Sequence, residues 1–444
     1  MGEVYAQAGK FPEMVNEYVE MVSFNPGYMP NIQTILQNKM ANDLSGGITE
    51  LLRQALLRKI QKQPDEISYT ELLLWLFLQE KDFESAFIQA RGIDRRLNES
   101  GERILNLGRT CVSNQDYETA EKCFRFVAEK GSSGPHYIAA RMEMINAAND
   151  RLTKIGSYNR EDLMRLDSDY RAAINELGRS AVTAPLIRGY AHLQAFFLHN
   201  SDSAINLINE TLELPNLSSQ FRAECKLELG DIYVFNNDVW DAALLYGQVD
   251  KDFKNDALGR EAKFRNARLS YYIGEFDWAK DQLNVLKAAT SQLISNDALA
   301  LALLISDNTN MDTSTQALLM YSRADLLDFQ NKDSLAMLSL DSLLVTFPEH
   351  SLTDEVWYKK AGILRARGRN EEAVGFYAKI LEKYPEDILA DDAMYQMGLI
   401  YEGPLNDKEK AKTVFEEFLN KFPGSLFAVD ARRHFRTLRG DKLN

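Results

Sequence analysis

The stretch NEEAVGFYAKILEKYP, residues 370–385, decides how the rest of the chain is read. Ala373, Tyr377 and Ile380 fall at steps of four and three residues, so they share one face of a helix. Pro385, twelve residues after the alanine, marks the stop, because the residue before a proline is pushed out of the helical region. The same pattern recurs at Ala411, Phe415, Phe418 and Pro423, and at Ala336, Leu340, Leu343 and Pro348. Ala120–Phe124–Val127, Ala242–Tyr246–Val249 and Ala279–Leu283–Leu286 repeat it without the proline. Ala86–Ala90–Ile93 and Ala204–Ile208–Thr211 are weaker copies, and Ala173, Leu177, Ser180 and Pro185 form a degenerate one. The small residues lie 34 apart from Ala86 to Ala120, 38 and 37 apart from Ala204 through Ala242 to Ala279, and 37 and 38 apart from Ala336 through Ala373 to Ala411. A fixed period of this size is the mark of a stacked repeat array.

A second helix precedes each of these at a constant offset. Leu107–Gly108 stands before Ala120, Leu229–Gly230 with Tyr233 before Ala242, and Trp357 with Ala361 before Ala373. Met397–Gly398 with Tyr401 stands before Ala411, with one extra residue in the Glu402–Asp407 turn. A small residue is required where the two helices of a unit cross, since a larger side chain would force them apart. Two intervals are wider, 72 residues from Met14 to Ala86 and 57 from Ala279 to Ala336. The first predicts a divergent helical pair around Ile48–Lys62. The second predicts an apolar helix near Asn296–Ile305 followed by a polar loop, Ser306–Ser314. An irregular region at about 135–185 is expected to hold two long helices joined near Ile155–Asn159.

Composition agrees. With 444 residues, 45% hydrophobic, the chain has enough apolar surface for a long core, and its 11 Pro and 24 Gly fall mostly between periodic runs, which favours helices over strands. The apolar run Leu72–Leu78, seven residues, is far short of the roughly 20 residues of a membrane span. A net charge of −14 disfavours nucleic acid as a partner over most of the surface. The three cysteines, Cys111, Cys123 and Cys225, form neither a disulfide framework nor a metal-ligand spacing; they read as buried small hydrophobes, with a Cys111–Cys123 bridge between paired helices left open.

These features together resemble the tetratricopeptide-repeat (TPR) superfamily over nearly the whole length. Residues 1–26 resemble the latter part of one more unit, with Gly2, Tyr5, Gly9, Phe11, Tyr18 and Pro26 at its expected positions, so the chain is expected to be a piece of a longer protein. The resemblance implies an all-α, right-handed superhelical solenoid of about ten helical hairpins. The expected organisation is N-terminal units over 1–134, an irregular helical segment over 135–185, central units over 186–291, and C-terminal units with a capping helix over 292–444. The helix ends TFPEHS, KYPEDI and KFPGSL within about 317–440 are similar to those of bacterial envelope TPR proteins, the outer-membrane-assembly lipoproteins and the Tol–Pal-associated coordinator.

Catalytic chemistry is not visible. There is no Gly-rich phosphate loop, no HExxH and no nucleophile elbow. His192 and His199, seven apart, are expected on one face of one helix and about 10.5 Å apart, too far to share a metal ion. The acidic pairs Glu371–Glu372 and Asp391–Asp392 read as residues at helix starts. No enzyme activity, metal or cofactor is expected. The basic end, with Arg432, Arg433, Arg436, Arg439 and Lys442, reads as a cap on the last helix.

What the resemblance implies for binding is a concave groove lined by the first helix of each unit. Carried onto this chain, its positions are Asn106, Arg109 and Ser113; Glu228, Asp231 and Phe235; Arg265, Arg268 and Tyr272; and Tyr358, Lys359, Arg365, Tyr395 and Gln396. The run from Arg265 to Tyr272 is the best local candidate for an acidic or extended peptide. The carboxylate clamp of chaperone-binding TPR proteins does not map onto these positions. The expected function is a non-enzymatic protein–protein scaffold in a periplasmic or outer-membrane-associated assembly, touching a membrane only indirectly or through an anchor outside this stretch of sequence. The alternatives are a SusD-like glycan- or nutrient-binding lipoprotein, against which the few aromatics of the irregular stretches argue, and a cytoplasmic TPR regulator with an effector domain outside this stretch of sequence.

Overall fold

The computed structural model describes residues 1–43, 46–155, 158–254, 256–287, 292–309 and 315–441. Among them are 24 α-helices, a short 3-10 turn at Pro26–Tyr28, a π-helical turn at Leu193–Phe197, and no strand. Successive helices pack as hairpins: Glu102–Ser113 with Tyr117–Ala128, Ser219–Asn236 with Val239–Asp252, Ala257–Ile273 with Phe276–Lys287, Gln316–Phe329 with Asp333–Thr346, Thr353–Ala366 with Asn370–Lys383, and Ala390–Glu402 with Lys408–Lys421.

One turn geometry makes all of these hairpins. A residue with φ between +49° and +88° sits five positions before the small residue of each second helix: Gly9, Lys81, Gln115, His199, Asn237, Gly274, Asn331, Gly368 and Asn406. The amide after it reaches back five residues to the end of the first helix, as in Asp82 N to Phe77 O (2.9 Å), Asp116 N to Cys111 O (2.9 Å), Asp238 N to Tyr233 O (2.8 Å) and Arg369 N to Leu364 O (2.9 Å). This is the Schellman arrangement, which satisfies the carbonyls that a helix end leaves open. An aspartate then opens several second helices by accepting from the backbone: Asp82 from Ser85 N, Asp116 from Thr119 N and Asp407 from Lys410 N, each 3.1 Å. The extra residue in the Glu402–Asp407 turn is accommodated by a six-residue step, Asp407 N to Tyr401 O at 2.7 Å.

This geometry corrects the reading of the histidines. His192 ends the helix Ala184–His192, the chain widens into the π-helical turn, and His199 is itself the positive-φ turn residue (φ +54°), so the two do not lie on one helix. The degenerate pattern at Ala173 is also cut short: its helix ends at Leu177, and Pro185 lies in the first turn of the next helix. The expected wide intervals do hold helices, Met29–Ala41 and Gly47–Lys62 in the first and Gln292–Asp307 in the second. The long helices of the irregular region are Tyr137–Ile155 and Arg160–Leu177. Residues 156–157 of their junction, and 310–314 of the expected polar loop, lie outside the described residues.

The small residues are where the helices of a hairpin touch. Ala86, Ala120, Ala204, Ala242, Ala279, Ala336, Ala373 and Ala411 are completely buried. On the opposite helix, a Cβ added to Gly108 would come within 2.5 Å of the Phe124 ring, and one added to Gly398 within 2.6 Å of Phe415. Gly230 stands in the same relation to Tyr246. All three cysteines are buried and free.

The chain divides into two compact units, Met1–Ile155 with Arg439–Asn444, and Gly156–Leu438. The first has a continuous core running from Met14 to Ala147. In the second, apolar clusters follow one another along the hairpins, from Ala223 to Ile363, from Ala361 to Ile400 and from Met394 to Ala431. The dividing line falls inside the 135–185 segment. Among the described residues no helix is long and apolar enough to cross a membrane.

Replacing Gly230 with alanine puts a methyl group into the Tyr246 ring. It is expected to lower stability by about 1–3 kcal/mol, the usual cost of overpacking. Gly247→Ala, where a Cβ meets nothing within 4 Å, is expected to be neutral or to add roughly 0.5–1 kcal/mol. Urea denaturation of both variants followed by circular dichroism checks the pair.

Candidate functional site

In the unit Gly156–Leu438 the first helices of successive hairpins are tied to each other by polar pairs. Arg188 bonds Glu224 at 2.6 Å, and His192 Nδ1 lies 2.8 Å from Glu228. Arg265 bonds Asp231 at 2.5 Å, Lys359 reaches Asp325 at 2.9 Å and Asp328 at 3.3 Å, and His434 Nδ1 lies 2.6 Å from Glu402. Arg365 donates to Gln396 across the next junction. In the other unit Arg109 bonds Glu143 at 2.8 Å, with Asn106 beside it at 3.4 Å from the same guanidinium. Each partner sits about one period further along the chain, so these contacts join neighbouring hairpins.

The pairs are half-buried, and their electrostatics show it. Burial pushes the Asp231 carboxyl up despite Arg265 and the Tyr246 hydroxyl, which donates to it at 2.7 Å. Tyr246 is itself pushed well up by burial and then by Asp231. At Lys359 burial pulls downward, but Asp325 and Asp328 outweigh it and hold the ammonium above its ordinary range. Nearby, Asp392 is raised to about 6 by burial first and then by Asp391.

The predicted groove residues therefore divide into distinct groups. Asp231, Arg265, Lys359, Arg365 and Gln396 face each other in cross-hairpin pairs. Tyr395 is buried, stacked on Phe427 at 4.6 Å and packed against Phe415 and Phe418. Tyr358 is half-buried edge-on to Tyr377 at 5.4 Å, and burial raises its hydroxyl. Asn106 and Arg109 lie in the first unit. Only Arg268 and Tyr272 form a site of a different kind. The Arg268 guanidinium lies 5.5 Å from the centroid of Phe329, 5.8 Å from Phe264 and 6.0 Å from Tyr272. Among the described residues it has no hydrogen-bonded or ion-paired carboxylate.

Around it the structure gathers aromatics from three other hairpins, of which the sequence positions had singled out Phe235 for the groove but neither Phe196 nor Phe329. Phe196 meets Phe329 at 6.1 Å and Phe235 at 5.1 Å, and His199 stacks on Phe235 at 5.9 Å. Asn331 donates to the Phe196 carbonyl at 2.8 Å and Gln330 to the Val234 carbonyl at 3.2 Å, closing the edge. Phe196 is presented by the π-helical turn, a local widening often found at functional sites. Among the described residues no group of His, Cys, Asp and Glu could hold a metal ion.

The helical hairpins of fixed period define a repeat protein of the solenoid class, all-α among the described residues. Residues 355–387 and 392–425 match the family model described as tetratricopeptide repeat, and the hairpins that carry the positive-φ turn share the turn geometry of these two. No curated protein matches the chain. Solved structures similar in helix arrangement include a tetratricopeptide repeat protein from Parabacteroides merdae, 16% identical and covering 68% of this chain and 98% of that one, with a TM-score of 0.34. The P58(IPK) TPR domain is 14% identical over 92% of this chain and 96% of that one, TM-score 0.23. A human IFIT1 dimer with m7Gppp-AAAA is 12% identical over 93% and 94%, TM-score 0.35.

Two outcomes test this electrostatic account. Arg265→Met leaves Asp231 buried without its cation and is expected to destabilise by about 2–4 kcal/mol, less in the double variant with Asp231→Leu, in a urea double-mutant cycle. For Asp392, whose folded pKa is raised from 3.8 to about 6, the protonated form is the one the fold favours. Its contribution is present in full below pH 3.8 and is lost as pH rises through 6. Asp392→Asn is therefore expected to be neutral at pH 4 and stabilising by about 1 kcal/mol at pH 7.5, read from thermal midpoints across that range.

Proposed function

We propose that this protein is a non-enzymatic scaffold that holds a partner protein across the first-helix face around Arg268. The observation that carries this is the contrast between Arg268 and its neighbours. Arg265, Lys359 and Arg365 are spent on joining hairpins, whereas Arg268 is held over three rings with no carboxylate of its own among the described residues. A guanidinium fixed on aromatic faces offers its donor edge to a carboxylate, and the adjacent Phe196 and Phe329 offer an apolar surface beside it. An acidic residue flanked by apolar or aromatic side chains on an extended peptide satisfies both. The repeat fold supports an interaction role, since stacked hairpins present a broad, pre-formed surface.

The assembly we assign it to is that of a bacterial envelope, periplasmic or associated with the outer membrane. The support is the rhythm of the helix ends TFPEHS, KYPEDI and KFPGSL. A net charge of −14 supports protein over nucleic acid as the partner.

Crosslinking of the full-length protein in its native cells, with mass spectrometry of what is recovered, tests both parts. Envelope proteins are expected, and Arg268→Gln is expected to reduce their recovery by about fivefold or more at an unchanged thermal midpoint, as for an interface arginine. Recovery of cytosolic proteins alone overturns the envelope assignment. Recovery insensitive to Arg268→Gln overturns the site.

A further inference from the structure

A second set of cations, in the unit Met1–Ile155, is also left out of the ion pairs. On the helix Phe83–Leu97, Phe87, Arg91 and Arg95 follow at four-residue steps and so share a face. The Arg91 guanidinium lies 5.5 Å from the Phe87 ring centroid. Arg95 lies 5.8 Å from the ring of Phe126, on the neighbouring second helix Tyr117–Ala128, and Lys130 lies 5.3 Å from the same ring. The two rings meet edge-on at 6.3 Å, which joins the helices into one platform. Ile88, beside Phe87, is 48% exposed.

The charges of this platform are unbalanced. Lys130 is committed to the buried Asp94 and to the Glu99 carbonyl. Lys122 is matched by Glu84 and Glu118, and Arg125 by Glu121. Arg91 and Arg95 have no carboxylate or other hydrogen-bond partner among the described residues. The negative end of the helix accounts for a cation in its last turn, where Arg95 and Arg96 stand, but that effect does not extend back to Arg91. In a chain with 65 acidic and 51 basic residues, two arginines left without a partner on one face, both seated on rings, are a surface prepared for an anion.

We propose that this platform docks an acidic, extended segment of a partner protein. Arg91 and Arg95 are separated by four residues of helix rise, about 6 Å. Carboxylates on alternate residues of an extended chain are about 6.6 Å apart and point the same way. One residue pair further along, a side chain of the segment meets the exposed Ile88, three residues before Arg91 on the helix, so the fitting pattern is apolar–x–acid–x–acid. Phosphates of a nucleic acid have a similar spacing, but their charge continues beyond two groups and would run onto Glu84, Glu118 and Glu121 on the same two helices, which favours the short acidic peptide.

Fluorescence anisotropy on the full chain tests this with a fluorescein-labelled peptide, GLSESESG, and its glutamine counterpart GLSQSQSG. The acidic peptide is expected to bind at least about tenfold more tightly, and to weaken steeply with added salt. Arg91→Gln combined with Arg95→Gln is expected to lower its affinity by about tenfold or more, as loss of two charge-assisted contacts does, and Arg268→Gln, at the other proposed face, to lower it less. Charge reversal at both arginines, Arg91→Glu with Arg95→Glu, is expected to transfer binding to the lysine peptide GLSKSKSG, a gain that misfolding cannot produce. Equal affinity for the first two peptides, indifference to the double variant, or binding of a labelled oligoadenylate in place of the peptide each overturns the proposal. An effect of Arg268→Gln as large as that of the double variant places the peptide at the other face and also overturns it.

Discussion

The structure depends on a steric constraint, the close approach of two helices at one small residue. Gly108 against Phe124, Gly230 against Tyr246 and Gly398 against Phe415 leave no room for a single added carbon. A contact this close requires the chain to reverse within a few residues and return at a fixed angle. The left-handed turn residue does that, five positions before the buried alanine, at Lys81, Gln115, Asn237, Gly274 and their equivalents. Turn, crossing point and core are thus one device repeated along the chain. The copies at Gly108, Gly230 and Gly398 bury a ring against the glycine, and stacked copies cover each other's remaining apolar faces.

Polar chemistry is layered on that device. Because equivalent positions recur about once per period, an acid on one first helix stands beside a base on the next, as Asp231 beside Arg265 and Asp325 beside Lys359. Burial makes these pairs costly to break from one side only, so they set which hairpin faces which as much as they stabilise either. Three cations outside this arrangement, Arg268 in one unit and Arg91 with Arg95 in the other, stand on aromatic rings instead. An aromatic face holds a guanidinium in place without neutralising it, which leaves the positive charge available at the surface.

Most of the fold was legible because its determinants are local. The alanine, the residues four and seven later, and the proline beyond them lie within a dozen positions, and the structure buries those alanines completely. The turn residue was not legible in every copy: glycine and asparagine advertise a positive φ, whereas Lys81, Gln115 and His199 do not, and His199 was for that reason read as a helical residue. The site was legible only in part. First-helix positions could be picked out by offset, but whether such a residue points at a neighbouring hairpin or at solvent depends on a partner some 35 residues away, as for Arg265 and Asp231. Tyr395, chosen by the same offset, is stacked on Phe427 instead. The aromatics Phe196 and Phe329 meet across more than a hundred residues, a distance at which no periodic pattern speaks.

At two places the backbone step into the turn spans six residues in place of five, Asn200 N to Gln194 O and Asp407 N to Tyr401 O. In both the turn residue and the following helix keep their places, and the surplus residue is taken up upstream, at Leu193–Phe197 as a π-helical turn. In evolutionary terms the end of the first helix is a length buffer. A single-codon insertion there is invisible to the core, yet it rotates every side chain between the insertion and the turn onto a new bearing. Repeat arrays of this kind can therefore turn the side chains at the end of a first helix to a new bearing by changing chain length, without replacing any amino acid of the core.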